Sequence, residues 1–319
     1  MGIQLNQRQI IIEGNILTNS IAKFKRLYTL SKIIKNWYDI IFFYIKFKKT
    51  PNIKFKTGET KYFTKKEEFK KFWSTNEGII KSYKAFFYIS KNYNLKIKKN
   101  IIKFDYNNKE VKFFYDSKFQ LANSLQLLYL QFIQGHNNWL EVNQKNVLDI
   151  GANIGDTSIF FALNNAKHVF AIEPYPYSCR IIKRNIKLNK MEEKISIINA
   201  AIGTKSSFMK IKYNYKNLNS DIIKKDENGV RIPIYSLDQI IEKLNLHNIA
   251  MKMDCEGYEY GIIKTASLYS LKKIKNLIIS CHNVKQSYNE IKILKNKLIF
   301  SGFIIVNKLP DNSIGAYKK

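Results

Sequence analysis

The chain has 319 residues, 45% of them hydrophobic, enough to bury a full core and to exclude disorder throughout. Its 54 Lys and Arg against 25 Asp and Glu give a formal net charge of +29. That charge is either a footprint for an anionic partner (RNA, a membrane surface, a phosphorylated substrate) or a drift of composition toward Lys, Ile and Asn.

Cys179, Cys255 and Cys281 form no CxxC and cannot all pair. This excludes a disulfide framework and a zinc cluster and points to a reducing, cytoplasmic compartment. The N-terminal residues lack the apolar run and small-residue cleavage site of a signal peptide. The most apolar stretch, Trp37 to Phe47, is too short to span a membrane and is interrupted by Asp39 and Lys46. It reads as a buried amphipathic helix or as one lying on a membrane surface.

Residues 1–118 form a basic, aromatic-rich extension of α+β character. Segments 20–48 and 65–90 have helical spacing, with Phe69, Phe72, Trp73, Ile79 and Ile80 at three- and four-residue steps. Leu95–Phe104 and Val111–Tyr115 read as strands joined by a turn at Asp105–Asn108. Residues 119–319 form the second domain. It opens with a helix over 119–134 and then alternates strand and helix.

The expected strands are Val147–Ile150, His168–Ile172, Ile195–Asn199, Ile249–Met253 and Ile274–Ser280. The helices between and after them fall at 156–165, 177–189, 237–245, 258–270 and 286–300. Ser236 and Gln239 cap the third of these. Phe208–Tyr213 and Val230–Tyr235 suggest a hairpin. Phe303–Val306 and Ser313–Tyr317 close the chain, one of them an antiparallel edge strand. The alternation implies an α/β fold, a mostly parallel sheet with helices on both faces.

The strongest motif is the strand Val147–Ile150 running through Gly151-Ala152-Asn153-Ile154-Gly155 into a helix. Gly151 lets the backbone turn sharply, and Gly155 permits close approach of a ligand and of the next helix. Asn153 stands where a dinucleotide fingerprint needs its second glycine, and no Gly-Lys-Ser/Thr follows for a P-loop. Asp149 before the turn would repel a pyrophosphate and suits a cationic ligand, such as a sulfonium bearing an amino-acid ammonium group.

Glu173 ends the next strand, 173 − 151 = 22 positions past the first glycine, near the distance of about 20 at which an acid grips ribose hydroxyls. Asp254 and Glu256 follow Ile249–Met253 at the same sheet end. There they could orient an acceptor, take its proton, bind a metal, or simply cap the next helix. His282 follows the next strand and could act as a base near neutral pH or be merely structural.

These residues resemble the FkbM family of S-adenosylmethionine-dependent methyltransferases. The resemblance rests on Asp149-x-Gly151-Ala152-Asn153-x-Gly155-x-Thr157-Ser158, Glu173-Pro174, Asn185-x-x-x-Asn189, Asn199-Ala200-Ala201-Ile202-Gly203, Ser236-Leu237-Asp238 and Asp254-x-Glu256-Gly257-x-Glu259. It covers about residues 119–317. It implies a Rossmann-like class I methyltransferase fold of seven strands and O-methylation of a sugar, glycan, lipid-linked or other small-molecule hydroxyl.

By that pattern Asp149, Gly151, Asn153, Gly155, Thr157 and Glu173 contact S-adenosyl-L-methionine, with Ala201 near adenine. Asp254, Glu256 and His282 face the acceptor, and no metal is assigned. Where the family often has an acid two residues before the histidine, this chain has Ser280. An RNA methyltransferase is the alternative, its basic N-terminal region holding RNA. Aromatics such as Tyr62, Phe63 and Trp73 could stack bases or form a core. The Asn185-Asn189 helix would also fit RNA, but no Asn-Pro-Pro-Tyr-type tetrapeptide follows the fourth core strand. A non-catalytic cofactor-binding scaffold is a third reading, and the intact acids speak against it.

Overall fold

The computed structural model describes residues 85–86, 88–116, 118–211, 229–281, 288–306 and 313–318, together with the backbone of 53–54 and 60–61. The chain divides into two compact units, residues 1–88 and 89–319. In the first, β1 (Ile53–Lys54) pairs antiparallel with β2 (Thr60–Lys61). The helices expected over 20–48 and, as far as residue 84, over 65–90 lie outside the described residues, as does the apolar stretch Trp37 to Phe47. None of the described helices is long and apolar enough to cross a membrane.

The second unit begins with β3 (Lys96–Lys98), β4 (Ile101–Tyr106), β5 (Lys109–Phe114) and α1 (Lys118–Leu128), whose last turn widens into a π-helix at Tyr129–Ile133. There follow β6 (Asn146–Ile150), α2 (Asp156–Leu163), β7 (His168–Ile172), α3 (Pro176–Leu188) and β8 (Ile195–Ile198). Next come β9 (Ala201–Gly203), β10 (Ser207–Ile211), β11 (Val230–Ser236) and α4 (Leu237–Lys243). The chain continues through β12 (Ile249–Met253), α5 (Glu259–Thr265), α6 (Leu268–Lys273) and β13 (Ile274–Ile279). It ends with α7 (Tyr288–Phe300), β14 (Ile304–Val306) and β15 (Ile314–Tyr317).

Seven strands form the main sheet in the order β14-β15-β13-β12-β6-β7-β8. The five from β13 to β8 are parallel, while β15 runs antiparallel to both its neighbours. The antiparallel strand is therefore one place in from the edge, and β14 is the edge. All five residues of β12 are buried, which a central strand covered by helices on both faces requires. The chain winds from β6 outward to β8, then returns to β12 on the other side of β6. Strand order reverses between β6 and β12, and that is where open α/β sheets leave a crevice at their C-terminal ends.

Three boundaries differ from expectation. Leu95–Phe104 is two strands, because Lys99 and Asn100 both take positive φ (50° and 63°) in a two-residue hairpin turn. Asn107 and Asn108 do the same between β4 and β5, where asparagine is a usual choice. The helix expected over 258–270 breaks at Ala266, and Ser267 restarts it by accepting a hydrogen bond from Ser270 N at 3.1 Å. The hairpin of β10 and β11 forms in antiparallel register and gains β9 as a parallel third strand; Tyr213 lies outside the described residues.

The β3–β5 sheet packs its inner face on an aromatic cluster. Phe132 of the π-turn lies 5.3 Å from Phe104, 5.1 Å from Tyr106, 5.9 Å from Phe113 and 5.5 Å from Phe160 between ring centroids. Its edge is held by α3. Asn189 Oδ1 accepts from Lys112 N (2.9 Å), and Asn189 Nδ2 donates to Lys112 O (2.7 Å). One turn earlier, the fully buried Asn185 accepts from Phe114 N (2.7 Å) and donates to Ile154 O (2.8 Å). The two asparagines thus extend the sheet edge onto a helix and tie it to the glycine loop. Asn185→Leu should leave both backbone groups without a partner, at about 1–3 kcal/mol each. Chemical denaturation should show that loss, and a stability within about 0.5 kcal/mol of wild type would contradict the assignment.

Candidate functional site

The loop after β6 takes its shape from positive φ at Gly151 (81°), Asn153 (49°) and Gly155 (82°). Gly151 N and Ala152 N donate to Ile172 O at 2.9 and 3.1 Å, so the loop curls over the end of β7. A Cβ on Gly151 would strike the Asp254 carbonyl oxygen, and one on Gly155 would lie 3.2 Å from Ile182 of α3. The first glycine therefore lets the β6 and β12 loops touch. The second seats α3.

Asp149 is fully buried beneath this loop. Its Oδ2 accepts from Thr157 Oγ1 at 2.6 Å and from Ser158 Oγ at 2.5 Å, pinning the first turn of α2. Asp156, in that same turn, is buried, and burial pushes its carboxyl up to about 7. Glu173 sits at the end of β7. Its Oε2 accepts from Asn153 N and its Oε1 from Tyr175 N, both at 2.9 Å. Burial raises Glu173 to about 7 as well, against the lowering effect of those two hydrogen bonds. Asn199 Nδ2 donates to the carbonyls of Glu173 (3.0 Å) and Pro174 (2.9 Å), closing the loop from the β8 side. Ala201 is buried at the start of β9, paired with Ile234.

On the other side of the crevice, Asp254 N donates to Ile150 O at 3.0 Å. The turn that follows has positive φ at Glu256 (54°) and Gly257 (100°). Glu259, fully buried at the start of α5, accepts from Cys255 N (2.9 Å) and Gly257 N (2.8 Å) and so fixes that turn. Asp254 is half-buried and Glu256 is exposed. Lys252 of β12 reaches under the crevice. Its Nζ donates to Gly151 O at 3.0 Å and lies 3.5 Å from Asp149 Oδ1 and 3.7 Å from Asp254 Oδ2.

Asp149, Gly151, Asn153, Gly155, Thr157, Glu173 and Asp254 thus meet at one end of the sheet. His282 lies outside the described residues. The sequence assigns no site role to Lys252 or to Glu259, although Glu259 stands in the Asp254-x-Glu256-Gly257-x-Glu259 motif. The available signal for Lys252 is a lone charge inside the apolar run Ile249-Ala250-Met251-Lys252-Met253, which a central strand tolerates only if the charge is matched. For Glu259 it is an acid in the first turn of a helix after a glycine turn.

The donor set is acidic in a chain of net charge +29. Asp149, Glu173 and Asp254 border the crevice, with Lys252 set against them, so the site suits a ligand carrying positive charge. A carboxylate offers about four lone-pair positions. Glu173 uses one on each oxygen, which leaves acceptor capacity for a diol. Among the described residues no group of three or more His, Cys, Asp and Glu is placed to hold a metal ion.

Residues 149–296 match the family model of the methyltransferase FkbM domain. Over 125 residues the chain is 32% identical to tRNA (guanine(37)-N(1))-methyltransferase Trm5b of Methanocaldococcus jannaschii, a stretch that makes up 37% of this chain and 36% of that protein. It spans only that fraction of the relative's length. The crystal structure of methyltransferase FkbM from Methylobacillus flagellatus KT overlaps with a TM-score of 0.39 at 14% identity, over 75% of this chain and 60% of that one. That of M. jannaschii TYW2 in complex with AdoMet overlaps with a TM-score of 0.36 at 14% identity, over 70% and 89%. Residues 149–296, a little under half of the chain, are thus similar to the methyltransferase FkbM domain.

Proposed function

We propose that the chain binds S-adenosylmethionine at the β6–β12 crevice and transfers its methyl group to a hydroxyl of a sugar, glycan, lipid-linked or other small-molecule acceptor in the cytoplasm. The observation that carries this reading is the acidic crevice itself, with a buried Asp149 under a glycine loop and Glu173 holding acceptor capacity beside it. The bound cofactor supplies an electrophilic methyl group on a positively charged sulfur. Glu173 would accept from the ribose hydroxyls, the Gly151–Gly155 backbone and Thr157 would line the amino-acid end, and Ala201 would lie near adenine. Asp149 adds its charge from beneath. Asp254, together with Glu256 and His282, would serve to orient the acceptor. With the cofactor bound, the Asp254 carboxylate would take the hydroxyl proton as the methyl group is transferred.

The acid at β7 gives this reading a pH signature. The Glu173 carboxyl stands at about 7 in the folded chain, above its ordinary 4.5. Its contribution to stability is thus full below that ordinary value and lost as pH rises through about 7. A cationic ligand favours the ionised form, so affinity should rise over the same interval and level off above it. Calorimetric titration with the cofactor between about pH 5.5 and 8 should show this. Glu173→Gln should bind more weakly with a flatter profile; an identical pH profile in the variant would remove Glu173 from the site.

Two observations favour RNA as a second acceptor reading. One is the stretch of identity to Trm5b. The other is a pair of basic clusters. Lys96, Lys103 and Lys112 stand directly opposite one another across β3, β4 and β5, and α3 exposes Arg180, Lys183, Arg184 and Lys187. Like charges so aligned cost stability unless an anion answers them, although Glu110 offsets two of the sheet lysines. Asn185 and Asn189 lend RNA no support, because both are engaged with β5. Cell extract incubated with the full chain and methyl-labelled cofactor separates the two readings. Label in a glycan or lipid fraction, resistant to nuclease, is expected; nuclease-sensitive label would replace the small-molecule acceptor with RNA.

A further inference from the structure

Lys252 has a role in this crevice that the methyl-transfer chemistry does not use. It sits inside β12, where Ile249, Ala250, Met251 and Met253 are fully buried and Lys252 itself is 5% exposed. A buried ammonium is costly unless it is matched. Its contacts reach three parts of the site. Gly151 O at 3.0 Å stands on one wall of the crevice, Asp254 Oδ2 at 3.7 Å on the other, and Asp149 Oδ1 at 3.5 Å lies beneath. Asp149 Oδ1 is buried with no hydrogen-bond partner, so the Lys252 charge is what answers it. Burial by itself would lower the pKa of Lys252. The carboxylates of Asp254, Asp149 and Asp156 overcome that and hold it above the ordinary lysine value, so the group stays ionised.

The geometry points to Lys252 as the specificity-determining charge of the crevice, setting how strongly the site prefers a sulfonium over the neutral thioether that remains after methyl transfer. Without an internal cation, Asp149, Asp254 and Glu173 would favour a positive ligand and disfavour a neutral one of the same shape. Lys252 offsets part of that negative potential and brings the two affinities closer, so that the spent cofactor can occupy the same contacts as the fresh one. This inference rests on the proposed cofactor.

The test is calorimetry on the full chain with S-adenosylmethionine and S-adenosylhomocysteine, comparing wild type, Lys252→Met and Lys252→Gln. The glutamine variant keeps a donor for Gly151 O without the charge, and so separates charge from propping should the methionine variant not fold. Removing the charge is expected to shift the ratio of the two dissociation constants toward the sulfonium by on the order of tenfold. Asp254→Asn should shift the ratio the other way by a similar factor. Equal weakening of both ligands, or an unchanged ratio, overturns the inference and leaves Lys252 as a prop between two loops. A wild-type chain that binds neither compound overturns the cofactor reading, and this inference with it.

Discussion

Gly151→Ala should abolish cofactor binding and unfold the chain at markedly lower denaturant. The added methyl group would run into the Asp254 carbonyl oxygen. That oxygen belongs to backbone held by Asp254 N to Ile150 O and by Ser280 N to Met253 O, so it has little room to retreat. Alanine at φ 81° adds strain of its own, about 1–2 kcal/mol. With the clash the loss should exceed about 3 kcal/mol. Gly302→Ala is the matched control. Its φ is 86°, but nothing lies within 4 Å of the added carbon, so it should cost only the backbone strain and leave binding unchanged. Equal effects of the two substitutions, read by denaturation and calorimetry, would show that the two loops do not need to touch.

Asp149→Ala should be nearly as damaging, for a different reason. The carboxylate accepts from Thr157 and Ser158 and faces the Lys252 ammonium. Its removal leaves two hydroxyls and a buried cation short of a partner. Breaking a buried ion pair by deleting one member costs about 3–5 kcal/mol. Cofactor affinity should fall below detection as α2 loses its anchor at the first turn. Asp149→Asn can still accept from the hydroxyls but cannot balance the charge, so it should recover part of the stability and little of the affinity. An alanine variant with wild-type affinity would show that the loop holds its shape without Asp149.

The elements that were legible in the sequence are those whose pattern has one physical cause. β6, β7, β12 and β13 are short apolar runs bounded by turn residues, and each is buried on the sheet. The glycine loop was legible because positive φ at Gly151 and Gly155 demands that residue type. What escaped depends on partners distant in sequence. Nothing local marks Lys99 as a turn residue, since lysine seldom takes positive φ. The break at Ala266 follows from the Ser267 cap, which Asp238 of α4 supports by accepting from Ser267 N at 3.0 Å. The position of β15 inside the edge is a matter of sheet order that strand periodicity does not encode.

The site divides along the same line. Asp149 is the next-to-last residue of β6, and Glu173 and Asp254 directly follow β7 and β12, so their place at one end of the sheet followed once the strands were known. Lys252 is marked in the sequence as a lone charge in an apolar run, but the sequence does not show what answers that charge. Its partner shows only when β6 is laid beside β12 in parallel register, pairing Lys252 with Asp149. Asn185 and Asn189 likewise look like a helix signature until β5, more than 70 residues earlier, is seen lying against them.

The central claim is that this crevice holds a sulfonium cofactor and not a pyrophosphate-bearing one. The direct test is isothermal titration of the full chain with S-adenosylmethionine and, separately, with NAD. Binding of one S-adenosylmethionine per chain, lost in Asp149→Ala and with no heat from NAD, is the predicted result. Saturable NAD binding, or S-adenosylmethionine binding that survives Asp149→Ala unchanged, would contradict it.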